Sequence, residues 1–203
     1  MAKAFKIGDQ PLSISTISEI IATNTPIALS VSAKKKIKDC RKYLDKKVAK
    51  SSEPIYGINT GFGSLCNHKI SNKELAQLQK NLVLSHACGI GDEVPSEIVK
   101  IILLLKVQSL AYGYSGVQLK TVERLTEMFN NKILPVVYQQ GSLGASGDLV
   151  PLAHMSLPLI GEGEVDVPGI CDNGYYKRRK ASKILKEMNW KSIQLQSKEG
   201  LAL

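Results

Sequence analysis

Apolar positions along this chain recur mostly at spacings of three and four, the period of a helix with one buried face. Between Lys34 and Lys50 they are Ile37, Cys40, Leu44 and Val48, with lysines around the rest of each turn. A second stripe, Leu75, Leu78, Leu82 and Ser85, follows a capping signal at Ser71 or Asn72 and predicts a helix beginning near Glu74. Ser96 opens a third helix, Glu97 to Tyr112, which is apolar on almost every side and is therefore expected at the centre of the fold. Gly113 to Gly116 break it, and Leu119, Val122, Leu125 and Met128 or Phe129 mark a fourth helix that ends at Asn130 and Asn131. Glycine-rich loops separate these four: Tyr56 to Gly63, Gly89 to Pro95 and Gly113 to Gly116.

Alternation is rarer. Pro11 to Ile17 reads as a short strand, with Ser15, Thr16 or Ser18 capping a helix from Glu19 to Ala22. Further on, a small-residue loop from Gly141 to Asp148 leads into an apolar segment ending near Ile160. Short strands are expected between Gly161 and Tyr176, with turn signals at Pro168 to Gly174, and a basic helix about Arg178 to Glu187. No internal repeat or low-complexity tract interrupts this order. The fold class is mainly α, with a few short strands near each end.

Charge changes the picture less than its total suggests. The net charge is +9, but residues 34 to 50 carry nine basic and two acidic side chains and residues 177 to 191 carry seven and one, so the remainder is acidic by four. The first run is the solvated face of an amphipathic helix, and neither run interleaves the aromatic residues on which single-strand binders stack bases, apart from Tyr175 and Tyr176. Nucleic acid is not the expected partner. Lys100 and Lys106 cut the most apolar stretch, and that from Leu149 to Ile160 is too short to span a bilayer, so no membrane segment is expected. Cys40, Cys66, Cys88 and Cys171 form no C-x-x-C pair, and the first 15 residues lack the apolar core of a secretory signal; both features fit a cytoplasmic chain.

Three chemistries suggested by the loops fail on spacing. Position 146, five residues after Gly141, is serine and no lysine follows, so the loop is not a phosphate-binding P-loop; Gly61-Phe62-Gly63 begins a dinucleotide fingerprint that ends in Cys66. Ser146, Asp148 and His154 stand in the order of a hydrolase triad. Yet Asp148 replaces the second glycine of G-x-S-x-G, and all three lie within nine residues. His68, His86 and His154 lack the pairing of a metal site. What remains is a loop of small residues in which one amide can approach a carbonyl two residues back.

The run from Gly141 to Met155, G-S-L-G-A-S-G-D-L-V-P-L-A-H-M, resembles the signature of the histidine and aromatic amino acid ammonia-lyases. The resemblance implies that Ala145, Ser146 and Gly147 condense with loss of two waters into a 4-methylidene-imidazol-5-one, an electrophile made from the chain with no external cofactor. Ala145 supplies an unencumbered carbonyl, Ser146 a hydroxyl to eliminate and Gly147 a nitrogen with no side chain in the way. A glycine-rich turn capping a helix at Asp148 is the plain alternative. Tyr56 to Gly63, Y-G-I-N-T-G-F-G, is similar to the family loop whose tyrosine removes the substrate β-proton. A phenol ionises near about 10 in water, so that role requires surroundings that favour the phenolate; a buried tyrosine with a satisfied hydroxyl is the alternative. Leu82 to Gly89 looks like the substrate-side segment of the members acting on histidine, with Ser85 and His86 where relatives acting on tyrosine or phenylalanine carry His-Leu or Phe-Leu. An imidazole can hydrogen-bond an imidazole substrate, and leucine cannot.

The resemblance extends over nearly the whole chain, to Lys198-Glu199-Gly200-Leu201-Ala202-Leu203, with Lys106 and Gln108 standing where many relatives carry arginine and asparagine. It implies that residues 1 to 203 are the amino-terminal, electrophile-bearing domain of the ammonia-lyase fold without the long helical bundle. Family members are homotetramers. Three functions follow as expectations: a histidine ammonia-lyase of histidine catabolism, with L-histidine as substrate and activity weak or absent in the isolated chain; a lyase or aminomutase acting on tyrosine or phenylalanine; or a non-catalytic fragment that needs a complementing chain. In the implied mechanism the substrate attacks the methylidene carbon through its amino group, or through its ring, and Tyr56 takes the β-proton as ammonia leaves.

Overall fold

A computed structural model describes residues 3–50, 53–63, 66–68, 70–71, 74–169 and 176–203. The chain opens with two short parallel strands, β1 (Phe5–Ile7) and β2 (Ile27–Leu29), joined by helix α1 (Ile14–Thr23). Helix α2 (Val31–Lys50) follows at once. The strand expected over Pro11 to Ile17 is instead the start of α1. Ser13 Oγ accepts the Thr16 N–H at 3.1 Å, so the cap lies before all three expected serines and threonines and the isoleucines take up helical spacing. Short-range alternation over seven residues was outweighed by one capping bond.

In α2, Ile37 and Leu44 are buried as expected and Cys40 and Val48 are half-buried. The periodicity did not mark Arg41, which is also buried. Its guanidinium donates to the Gly116 carbonyl at 2.7 Å and to the Ser197 carbonyl at 2.9 Å, and pairs with Asp45. A cation can lie under the surface here because carbonyls and a carboxylate replace its water.

Helix α3 (Leu75–His86) begins next to Glu74, as expected, but the residue at its cap is Glu74 and no side chain bonds the first turn; Ser71 instead donates its hydroxyl to the Glu74 carboxylate at 2.6 Å, and Asn72 lies outside the described residues. Its buried stripe is turned from the expected one. Leu75, Gln79 and Val83 are buried, Leu78 and Leu82 are half-buried and Ser85 is exposed. The polar Gln79 can be inside because its Oε1 accepts the Gly200 N–H at 2.8 Å, and this rotation turns Leu82 and His86 toward a cavity.

Helix α4 (Ser96–Ala111) is central, as its all-round apolarity predicted: Leu103, Leu104 and Val107 are fully buried, and it packs on α1, α2 and α5 (Leu119–Asn130). At the end of α5, Asn130 accepts the Ile27 N–H and donates to the Ile27 carbonyl, each at 2.9 Å, clamping β2 to the helix.

Three further strands were not anticipated: β3 (Ile90–Glu93), β4 (Leu134–Pro135) and β5 (Tyr138–Gln140). β3 pairs antiparallel with β5, and β4 with β6 (Glu164–Pro168), which pairs in turn with β7 (Tyr176–Lys180). Between β5 and β6 lie helix α6 (Leu149–Ser156) and a 3-10 turn, Leu157–Ile160. The basic helix expected from Arg178 begins only at Ala181, as α7 (Ala181–Glu187), because Arg178 and Arg179 belong to β7. Arg178 sits between the carboxylates of Glu93, at 2.5 Å, and Asp166, at 3.0 Å, an arrangement that holds the Glu93 carboxyl below its usual range. Most of the turn expected at Pro168 to Gly174 lies outside the described residues.

The last helix, α8 (Glu199–Ala202), is fastened by its own first residue. Glu199 is fully buried and accepts from Gln118 N at 2.9 Å, Thr121 Oγ1 at 2.6 Å, Gln118 Nε2 at 2.5 Å and Gln196 N at 2.7 Å. Among the described residues no helix is long and apolar enough to cross a membrane, and no cluster of side chains could hold a metal ion.

Candidate active site

One cavity, of about 390 Å³, collects side chains from widely separated parts of the chain. Tyr56 and Phe62 come from the first glycine-rich loop, Leu82 and His86 from α3, Lys106 from α4, Leu149 and Leu152 from α6, and Leu201 from α8. Its wall is mostly apolar, with Tyr56, His86, Lys106 and Ser156 as the polar side chains. This is the common pattern of a small-molecule site: an apolar body with a few polar groups that set orientation.

Tyr56 is 59% exposed and its ring meets Phe62 edge to face, with centroids 5.8 Å apart. The buried tyrosine considered as an alternative is therefore not what this chain contains. The loop that carries Tyr56 leans on α8, because a side chain at Gly57, whose φ is +69°, would lie 2.6 Å from Leu201. Asn59 closes the loop by accepting Ile55 N–H at 2.5 Å and donating to the Glu53 carbonyl at 3.1 Å.

His86 stands at the end of α3. Its Nδ1 lies 2.9 Å from the Leu82 carbonyl, which can only accept, so Nδ1 carries a proton. In the neutral ring Nε2 is then an acceptor, and it meets no partner among the described residues. Ser85 donates to the same carbonyl at 3.0 Å and lies 3.2 Å from Nδ1. Ser85 does not line the cavity; it lies behind the histidine.

Ala145 and Gly147 lie on an exposed loop immediately before Leu149 and are not among the lining residues. Gly144–Ser146 form a single 3-10 turn in which Gly147 N–H donates to the Gly144 carbonyl at 3.2 Å. Gly147 takes φ +90° and ψ 178°, a conformation that L side chains rarely adopt. The turn thus curls the Gly147 nitrogen back over the three preceding residues, and nothing lies within 4 Å of a Cβ built on Gly144 or Gly147. A five-membered ring closed between residues 145 and 147 fits this loop: the backbone is already folded back and there is space around it. Asp148 occupies the cap position of α6, but the side-chain bond comes from Ser142, whose Oγ accepts Val150 N–H at 3.0 Å.

The 141–148 loop and the segment after His86 are held together. His154, on α6, accepts Gly89 N–H on Nε2 at 2.9 Å, and its ring packs edge to face on Tyr138. Burial pushes His154 below the usual histidine range, which keeps it neutral and able to accept. Its basic nitrogen is thereby engaged, a further reason that Ser146, Asp148 and His154 do not form a triad. Gly141 and Gly89 touch back to back: a Cβ at Gly141 would lie 3.3 Å from Gly89 Cα.

Lys106 was missed as a site residue. Its signals were a lysine interrupting an otherwise apolar helix, taken as an argument against a membrane span, and its place where many relatives carry arginine, taken as a local departure. Its ammonium donates to the Ala202 carbonyl at 3.2 Å, and burial pushes it below the ordinary lysine range.

Comparison with known proteins places the chain in a family. The chain is 44% identical over 203 residues to a histidine ammonia-lyase of Legionella pneumophila (strain Corby), covering 100% of this chain and 39% of that protein. Against the histidine ammonia-lyase of Deinococcus radiodurans it is 43% identical over 195 residues, 96% of this chain and 36% of the relative. The chain therefore spans less than two fifths of the length of these curated relatives. Among solved structures, the histidine ammonia-lyase from Trypanosoma cruzi superposes with a TM-score of 0.85 at 32% identity, over 99% of this chain and 37% of that one. The phenylalanine aminomutase of Pantoea agglomerans superposes with a TM-score of 0.88 at 26% identity, over 98% and 37%. The family model for aromatic amino acid lyases matches residues 12–203, nearly the whole chain, and includes the Tyr56 loop, the His86 segment and the Ala145–Gly147 turn: this chain belongs to the aromatic amino acid lyase family.

Proposed function

We propose that this chain is the electrophile-bearing part of a histidine ammonia-lyase, a carbon–nitrogen lyase that converts L-histidine to urocanate and ammonia. The observation that carries the choice of substrate is the 2.9 Å contact of His86 Nδ1 with the Leu82 carbonyl. With Nδ1–H committed to the Leu82 carbonyl, Nε2 is an acceptor on a ring that lines the cavity, suited to an imidazole N–H and wasted on a phenyl ring. Phenylalanine lyases and aminomutases are the weaker reading, because an unpaired ring acceptor in a largely apolar cavity penalises their substrate.

Each candidate residue then has a role. Tyr56, on the cavity wall and partly open to solvent, takes the β-proton, its ring steadied by Phe62. Ser85 holds the His86 ring from behind. Leu82, Leu149 and Leu152 exclude water from the substrate ring. The 4-methylidene-imidazol-5-one derived from Ala145, Ser146 and Gly147 supplies an electron-poor carbon that makes the amino group a leaving group, and no external cofactor is needed. The same reading includes histidine catabolism, a cytoplasmic setting and a homotetramer, with neither nucleic acid nor membrane as partner. Ile98 and Leu105 on α4 and Tyr112 just past its end, exposed at seven-residue spacing, support association with further helices.

The intact mass of the purified chain tests the electrophile. A deficit of two waters confined to the peptide spanning Ala145 to Gly147, and absent from Ser146→Ala, is the expected result; an unmodified peptide in natively purified protein argues against it. In a lyase assay on the assembled enzyme, Ser146→Ala abolishes urocanate formation and His86→Leu lowers it at least tenfold relative to cinnamate formation from phenylalanine. Full activity in Ser146→Ala would sink the reading.

A further inference from the structure

One backbone N–H falls between the end of α3 and the start of β3 and belongs to neither element. Gly89, three residues after His86, donates it to His154 Nε2 at 2.9 Å. A backbone N–H can only donate, so Nε2 is the unprotonated nitrogen of a neutral ring, the state that burial also favours. A leucine could fill the same buried place on α6. What the imidazole adds is an acceptor for a donor that would otherwise be stranded.

The bond lies where the two segments of the proposed chemistry meet. Ile90 and Gln140 are paired in the β3–β5 ladder, and one step beyond them Gly89 and Gly141 pack against each other. Val150 of α6 closes over both: its Cγ1 would lie 3.0 Å from a Cβ on Gly89 and 3.1 Å from one on Gly141. A Cβ on Gly89 would also fall 2.9 Å from His154 Nε2, so the ring approaches this closely because residue 89 is glycine. Ser142 Oγ, by accepting the Val150 N–H at 3.0 Å, ties the next residue of the loop to the same helix. His86 is thus three residues from this junction on one side, and Ala145 three residues beyond Ser142 on the other.

We propose that His154 is a positioning residue: by accepting the Gly89 N–H it fixes the segment that presents His86 against the loop 141–148 that carries Ala145, Ser146 and Gly147. The consequence for catalysis rests on the function proposed above, whereas the clamp itself does not. A side chain that recognises the substrate ring and an electrophile that takes its amino group serve one reaction only at a set separation, and a small misplacement of either costs rate. His154 touches neither substrate nor electrophile in this reading and acts through Gly89.

Nuclear magnetic resonance of the full, isotope-labelled chain tests the clamp. In the unaltered chain a scalar coupling across the N–H···N bond is expected between the Gly89 nitrogen and His154 Nε2. His154→Leu should speed hydrogen exchange at Gly89 about tenfold or more and carry the amides of 86–89 and 141–148 with it, while those of Leu103, Leu104 and Val107 in α4 keep their rates. His154→Gln, whose Oε1 can accept where Nε2 did, should keep the protection, whereas a residue that merely fills space would be replaced better by leucine. Absence of the coupling, unchanged exchange over 141–148 in His154→Leu, or equal losses in the leucine and glutamine variants overturns the proposal. The coupling needs no variant, so it decides the matter even where His154→Leu does not fold. An unaltered chain that shows the coupling and protects both segments, yet lacks the two-water deficit at Ala145 to Gly147, keeps this proposal and refutes the electrophile reading.

Discussion

Replacing Glu199 by glutamine changes one oxygen to an amide, and its consequence can be worked through atom by atom. The carboxylate is fully buried and accepts four hydrogen bonds, two on each oxygen. Oε1 receives Gln118 N and Thr121 Oγ1, and Oε2 receives Gln118 Nε2 and Gln196 N. A glutamine keeps one oxygen and sets its NH2 against two donors. If the amide takes the Oε2 place, the half-buried Gln118 side chain can swing to water, but the Gln196 backbone N–H cannot. One fixed donor left unsatisfied costs about 1–3 kcal/mol, and the two remaining bonds lose some of their charge assistance. The total expected is about 2–4 kcal/mol, a large part of the stability of a domain this size. Urea unfolding followed by far-ultraviolet circular dichroism measures it as a lower midpoint with an unchanged slope. Glu199 also holds α8, whose Gly200 and Leu201 line the cavity. A loss under about 0.5 kcal/mol would mean that water reaches these donors and that the four-bond arrangement is not what fastens α8.

Two further perturbations separate backbone from packing and charge from shape. Gly147 and Gly113 both have positive φ, but a Cβ at Gly147 meets nothing within 4 Å, whereas one at Gly113 falls 2.6 Å from Lys36 Cβ and 2.8 Å from its carbonyl carbon; Gly147→Ala should cost about 1–2 kcal/mol and Gly113→Ala about 3 kcal/mol or more, and equal urea midpoints for the two would refute the distinction. His154 is held neutral in the folded chain and titrates near about 6.5 when unfolded. The unfolded state therefore binds the proton first, and stability falls as pH drops through about 6.5 toward the lower folded value. Urea midpoints across that window should show the slope in the unaltered chain and a flatter one in His154→Leu; identical slopes would remove His154 as the cause.

Much of the helical framework was legible because amphipathic helices follow from local spacing. Ile37 and Leu44, the all-round apolar α4, and Leu125 with Phe129 needed no knowledge of their partners to be recognised as buried. The loops of the proposed chemistry were legible for another reason: the ring closure proposed for Ala145 to Gly147 depends on residue identity over three adjacent positions, and the Ser85-His86 pair on two. Where local signals competed, sequence reading went astray. Pro11 to Ile17 alternates like a strand, and a single Ser13 cap makes it a helix; Arg178 and Arg179 have helical neighbours, and pairing with β6 makes them a strand.

The remainder depended on distances that no local pattern contains. β3 and β5 exist only because Ile90 meets Gln140 and Glu93 meets Tyr138, across some fifty residues. The turning of α3 that buries Gln79 and directs His86 to the cavity depends on Gly200, 121 residues away. Lysine at position 106 reads on its own as a flaw in an apolar helix. It becomes a cavity residue when α8 brings the Ala202 carbonyl to its ammonium. Local spacing determined which segments are helices, and the resemblance of a short run of residues singled out the loop proposed to form the electrophile, because both signals are contained in neighbouring residues. Only the tertiary structure decided which face of each helix looks inward and which polar groups share one cavity, because burial and hydrogen bonding are satisfied between segments far apart in the chain.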